Sequence, residues 1–62
     1  SVTDKLTPME YSIAMLASKG WTNQEIAKQL SLSPNTIKHY LSRIFHLLDI
    51  EKREELKPFV NK

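Results

Sequence analysis

The sequence predicts an all-α bundle of four helices in which the second and third are joined by a turn of only two residues. Three observations carry this. Hydroxyl residues stand ahead of helix-forming runs at Thr7-Pro8-Met9-Glu10, Thr22-Asn23-Gln24-Glu25 and Ser33-Pro34, each an N-terminal cap followed by proline, by glutamate three positions on, or by both. Apolar residues then recur at helical rather than alternating spacing. One glycine and three prolines in 62 residues leave too few turns for a many-stranded β fold.

Residues 1–6 carry no periodic pattern and read as the tail of a linker, with the helical domain over residues 7–62. The first helix opens at Pro8 behind the Thr7 cap and turns Met9, Ile13, Leu16 and Ala17 inward. It should end near Lys19, where Gly20 follows as the residue best suited to a left-handed cap. The second opens at Asn23, faces Ile26, Ala27 and Leu30 inward, and is short. Ser33-Pro34 starts the third, so Ser31 and Leu32 are the whole connection and the two axes must cross steeply. This third helix runs long, over about residues 34–48, with Ile37, Leu41, Ile44 and Leu48 in one apolar row. Asn35, Lys38, His39, Ser42 and His46 occupy its other side. A fourth helix within residues 51–61 is expected to end or kink at Pro58, which lacks a backbone donor and disfavours helical geometry at Lys57. Phe59 and Val60 should then pack back on the core.

Composition narrows the function. A chain this small buries only about 60 % of the surface it exposes when unfolded, which leaves little room for an elaborate active site. The absence of cysteine excludes a disulfide framework, a thiolate zinc site and a thiol nucleophile. His39 and His46 are seven positions apart, about two helical turns, so no metal and no cofactor is expected. Glu10 and Glu25 are accounted for as capping partners, and with no base or nucleophile beside them no enzymatic activity is expected. No apolar stretch is long enough to span a bilayer and no signal-peptide pattern opens the chain, so the expected location is the cytoplasm, away from membranes. Trp21 reads as a cover over the core rather than a stacking platform. Tyr40 suits either a phosphate contact or burial beside the first helix.

The net charge of +2 says less than its distribution. Residues 26–48 contain no acid, while Lys28, Lys38, Arg43 and both histidines fall there. From Asp49 onward, Asp49, Glu51, Glu54 and Glu55 offset Lys52, Arg53, Lys57 and Lys62. A short helix, a tight turn and a longer helix with a polar, acid-free outer face describe a helix-turn-helix, whose second helix is the one that enters the major groove of DNA. Ala27 is small where the two helices approach, and Leu30 and Ile37 can pack across the corner. Ser31 stands in the turn where glycine is common.

Three separated motifs then agree in order and spacing with one family. Leu6-Thr7-Pro8-x-Glu10, Gly20-x-Thr22-Asn23-x-Glu25-Ile26-Ala27 and Leu32-Ser33-x-x-Thr36-Ile37-Lys38 resemble the effector domain of LuxR-type transcription factors, which also ends many two-component response regulators. The resemblance covers residues 6–56. It implies a four-helix helix-turn-helix bundle whose third helix is the recognition helix and whose fourth often pairs two subunits. By position, Asn35, Lys38, His39 and Ser42 become base-contacting residues, lysine being able to donate to guanine or to a phosphate. Thr22, Asn23 and Gln24 at the start of the second helix, Ser33 and Thr36 at the start of the third, and Arg43 and His46 further along it become phosphate-contacting residues. The chain departs from the family at Tyr40, where histidine is usual, at Leu47, where lysine is usual, at Asp49, where glycine is usual, and at Ser12, often an acid. Leu47 removes one phosphate contact and Asp49 adds an opposing charge, so modest affinity is expected of the isolated domain.

The function implied is sequence-specific double-stranded DNA binding by the C-terminal effector domain of a bacterial transcription regulator. RNA polymerase is a further candidate partner, as is a second copy of the chain, although Pro58 interrupts the surface through which the fourth helices would pair. Two other readings share the same corner: the promoter-reading fourth region of a sigma factor, and a helix-turn-helix converted to protein interaction. The departures at Leu47 and Asp49 motivate the second.

Overall fold

The computed structural model describes residues 2–60. Ser1, Asn61 and Lys62 lie outside it, and with them the far end of the expected fourth helix. Four helices, α1 (Pro8–Ser18), α2 (Asn23–Leu30), α3 (Pro34–Leu48) and α4 (Lys57–Val60), are joined by short connections, with single 3-10 turns at Val2–Lys5 and Arg53–Leu56. Among the described residues there is no strand. Each of the first three helices starts where its cap predicts. The Thr7 and Thr22 hydroxyls accept the backbone N–H of Glu10 and Glu25, whose carboxylates accept the Thr7 and Thr22 N–H in return, completing two reciprocal capping boxes. Ser33 caps α3 by accepting the Thr36 N–H at 3.1 Å.

The same three helices end in one way. After each comes a residue with positive φ, Gly20 at 92°, Ser31 at 59° and Asp49 at 56°. The next residue, Trp21, Leu32 or Ile50, donates its N–H back to the carbonyl of Leu16, Ala27 or Phe45 respectively. That is the Schellman closure, and in each case the donating residue lays its apolar side chain against the core. Two of the three positions hold residues with a Cβ, which is crowded in the left-handed region. Ser31→Gly and Asp49→Gly are therefore each expected to stabilise the domain by about 0.5–1 kcal/mol, with the smaller gain at Asp49 because aspartate tolerates this geometry better than most. Thermal unfolding by circular dichroism should show a rise of roughly 3–6 °C for Ser31→Gly, and no rise would mean that the turn is relaxed.

The core joins one face of every helix. Ile13, Ala14 and Ala17 of α1, Ile26 and Ala27 of α2, Ile37, Leu41, Ile44 and Leu48 of α3, and Leu56 and Val60 from the C-terminal segment form a single buried cluster. α3 packs against both α1 and α2, and the C-terminal segment closes the far side of α1. The turn at Val2–Lys5 lies within the stretch read as a linker tail, yet it rests on α3 and α4, and Leu6 packs on the core.

Two expectations need correction. Met9 does not face inward; it is 39 % exposed, and the buried stripe of α1 runs instead through Glu10, Ile13, Ala14, Ala17 and Ser18. The packing of Ile13, Ala14 and Ala17 on the core sets the rotation of α1, and one turn back along that row stands Glu10 rather than Met9. Pro58 does not stop helical geometry, and the turn that ends just ahead of it at Leu56 is 3-10 rather than α. The preceding 3-10 turn moves the start of α4 to Lys57, so Pro58 is its second residue, where the missing N–H has no helical partner to lose. Lys57 accordingly keeps right-handed helical geometry ahead of the proline, with φ −52° and ψ −47°.

Candidate nucleic-acid interface

α3 has two faces of opposite character. Ile37, Leu41, Ile44 and Leu48 are at most 5 % exposed, whereas Asn35, Lys38, His39, Ser42, Arg43 and His46 are all exposed. These six recur at helical spacing, so they form one stripe along a helix of fifteen residues, about 22 Å long. Trp21, Phe59 and Val60, the residues able to cover such a stripe, pack against the core instead. Tyr40 is half-buried at the stripe's edge and lines a shallow groove of about 300 Å³ with Thr36, His39 and Arg43.

The N-terminus of α3 differs from those of α1 and α2 in a way that matters for an anionic partner. Where the first two helices place Glu10 and Glu25 at the third position, α3 places Thr36, whose hydroxyl lies 2.8 Å from that of Ser33. The cap is thus made without a carboxylate, and the positive end of the helix dipole stays uncompensated. At α2 the arrangement is less open. Thr22 is occupied by the Glu25 box, and the Asn23 carboxamide oxygen accepts from Arg53 Nη1 at 2.7 Å, which leaves its NH2 group and the exposed Gln24 as the available donors.

Arg53 was not singled out by sequence reasoning. Its second nitrogen, Nη2, donates to the Trp21 carbonyl at 2.6 Å, so one guanidinium ties the 3-10 turn before α4 to the α1–α2 connection. Nothing in local spacing announces a contact across more than thirty residues. Arg43 also has an unforeseen partner: its Nε lies 3.4 Å from Glu10 Oε2, joining α3 to the start of α1.

Residues 4–59 match the model of one family, described as bacterial regulatory proteins of the luxR family. The chain belongs to that family. Individual relatives agree. The domain is 40 % identical over 52 residues to the two-component response regulator PprB of Pseudomonas aeruginosa, covering 84 % of this chain and 19 % of that protein. It is 46 % identical over 52 residues to the transcriptional regulatory protein ComA of Bacillus subtilis, covering 84 % and 24 %. It is 37 % identical over 54 residues to the DNA-binding transcriptional activator DevR/DosR of Mycobacterium tuberculosis, covering 87 % and 25 %. The chain therefore spans a fifth to a quarter of the length of these relatives. Family, fold and surface together make it a DNA-binding helix-turn-helix domain of a bacterial transcription regulator. No helix among the described residues is long and apolar enough to cross a membrane.

Proposed function

We propose that this luxR-family domain reads double-stranded DNA in a sequence-specific way by laying α3 in the major groove. Asn35, Lys38, His39 and Ser42 face base edges, and Ser33, Thr36, Arg43 and His46 along α3 grip phosphates together with Thr22, Asn23 and Gln24 of α2. The observation that carries this is the exposed, acid-free stripe opposite a fully buried apolar row on the same helix. A major groove about 12 Å wide admits one helix, and any carboxylate on the inserted face would meet phosphate repulsion. α2 contributes less than its sequence promised, because Asn23 is shared with Arg53 and the Glu25 carboxylate sits at its start.

Membership in the luxR family removes the ground for the sigma-factor reading. RNA polymerase and a second copy of the chain are proposed as partners of the whole regulator. Among the described residues of α4, Val60 turns inward while Lys57 and Pro58 are exposed. The gene-regulatory role is cytoplasmic on the same reading.

Selection of bound duplexes from a random pool, followed by fluorescence-anisotropy titration, tests the proposal. One short motif should be enriched, and replacing Asn35, Lys38, His39 and Ser42 together by alanine should abolish the enrichment while leaving weak binding to any duplex. Replacing Glu51 and Glu54, on the far segment, should leave the motif intact. A flat titration at low salt would instead favour a helix-turn-helix given over to protein contact.

A further inference from the structure

We infer that Glu10 is a positioning residue for DNA binding: its buried carboxylate holds Arg43 so that the outer edge of the guanidinium meets a phosphate. The inference rests on α3 facing DNA, as proposed above.

The two capping boxes provide an internal comparison. Glu25 completes the α2 box with one oxygen, accepting the Thr22 N–H at 2.8 Å, and is exposed. Glu10 completes the α1 box with the same geometry, its Oε1 accepting the Thr7 N–H at 2.8 Å, yet its side chain is 3 % exposed. Capping therefore does not require the burial. A buried carboxylate is costly unless its remaining oxygen is paired, and the group facing Oε2 is Arg43 Nε at 3.4 Å.

The pairing uses one edge of the guanidinium. Arginine carries five N–H groups in a planar fork, so engagement at Nε leaves Nη1 and Nη2 able to form a bidentate contact on another edge. The Arg43 side chain is 72 % exposed and lies on the groove shared with Thr36 and His39, within the stripe assigned to DNA. Because Glu10 is fixed at the other end by the α1 cap, the orientation of Arg43 is referred to the body of the fold and not only to its own flexible stem. Ordering a long side chain before the partner arrives reduces the entropy lost on binding. Against this stands the charge of Glu10, which weakens the pull of Arg43 on a phosphate. The two effects have opposite signs on affinity, so a substitution separates them.

Anisotropy titrations on the duplex that the domain itself selects supply the test. Glu10→Gln keeps the cap, since the amide oxygen still accepts the Thr7 N–H, but removes the anionic partner of Arg43. Binding should weaken about threefold to fivefold. In an Arg43→Ala background the same change should have no effect. Arg43→Lys should lose nearly as much as Arg43→Ala, because one ammonium cannot serve carboxylate and phosphate through separate edges. Equal or tighter binding by Glu10→Gln overturns the inference, as does an equal loss in the Arg43→Ala background, which would mean that Glu10 acts through the fold. If circular dichroism shows Glu10→Gln unfolded, Arg43→Lys decides, and wild-type affinity there overturns it. A wild-type domain that binds no duplex brings down the inference together with the DNA reading; a binding domain indifferent to Glu10 brings down the inference alone.

Discussion

Ile37→Ala is expected to cost about 3 kcal/mol and to leave the domain largely unfolded near physiological temperature. Ile37 is wholly buried in the cluster that joins α1, α2 and α3, one residue after the last member of the Ser33 cap. Removing a buried branched side chain loses its transfer free energy and opens a cavity, typically 2–5 kcal/mol in all. A core of this size supplies roughly 3 to 5 kcal/mol, so the loss takes most of the margin. Met9→Ala is the control: it also shortens an apolar side chain, but at a position 39 % exposed, and should change stability by no more than about 0.5 kcal/mol. Urea unfolding followed by far-ultraviolet circular dichroism compares the two directly. A loss under about 1 kcal/mol for Ile37→Ala would mean that the corner between α2 and α3 is not held by this cluster, and the placement of α3 would need another cause.

What the sequence makes legible is what depends on residues close together in the chain. Three N-termini can be placed to the residue, because a cap and its partner lie three positions apart and their hydrogen bonds form within one turn. The two faces of α3 are legible for a similar reason, since a helix converts spacing directly into direction. Gly20 marks the end of α1 for the same local reason, but Ser31 and Asp49 perform the same closure without carrying its signature. Their positive φ follows from where the next apolar residue must go: Leu32 and Ile50 have to reach the core, and the chain takes the left-handed turn that brings them there.

The errors and omissions all involve contacts between distant segments. The stripe of α1 runs through Glu10 rather than Met9 because of how α1 packs on the other helices, and the buried carboxylate meets Arg43, thirty-three positions on. The role of Pro58 depends on where its helix starts, which the 3-10 turn over Arg53–Leu56 decides. That turn is in contact with α1, and Arg53 anchors it to Trp21 and Asn23. The candidate interface shows the same division. Which residues of α3 are exposed is readable one by one, while the hydrogen bond taken up by Asn23 and the ion pair of Arg43 involve partners that no local pattern names.

Lys38 and Arg43 share the exposed stripe, yet they should fail in different ways, and the difference tests how α3 lies on DNA. Lys38 is in the second turn, near the helix N-terminus that a recognition helix drives deepest into the groove. In the proposed docking its ammonium faces a base edge, so Lys38→Ala should weaken binding to the selected site about tenfold and relax the preference at one base pair, while binding to scrambled duplex changes little. Arg43 lies further along, beside the Glu10 carboxylate, and in the same proposed docking the helix there leaves the groove and meets the phosphate backbone. Arg43→Ala should therefore weaken selected and scrambled duplexes alike, and reduce the slope of log K against log salt by about 1, the signature of one released counterion. Titrating both variants against both duplexes at two salt concentrations reads affinity, discrimination and slope from one set of curves. If Lys38→Ala lowered the slope and left discrimination intact, Lys38 would be the phosphate contact, and α3 would lie along the groove's edge rather than in it. If neither variant changed any of the three, the duplex would be bound through some other face of the domain.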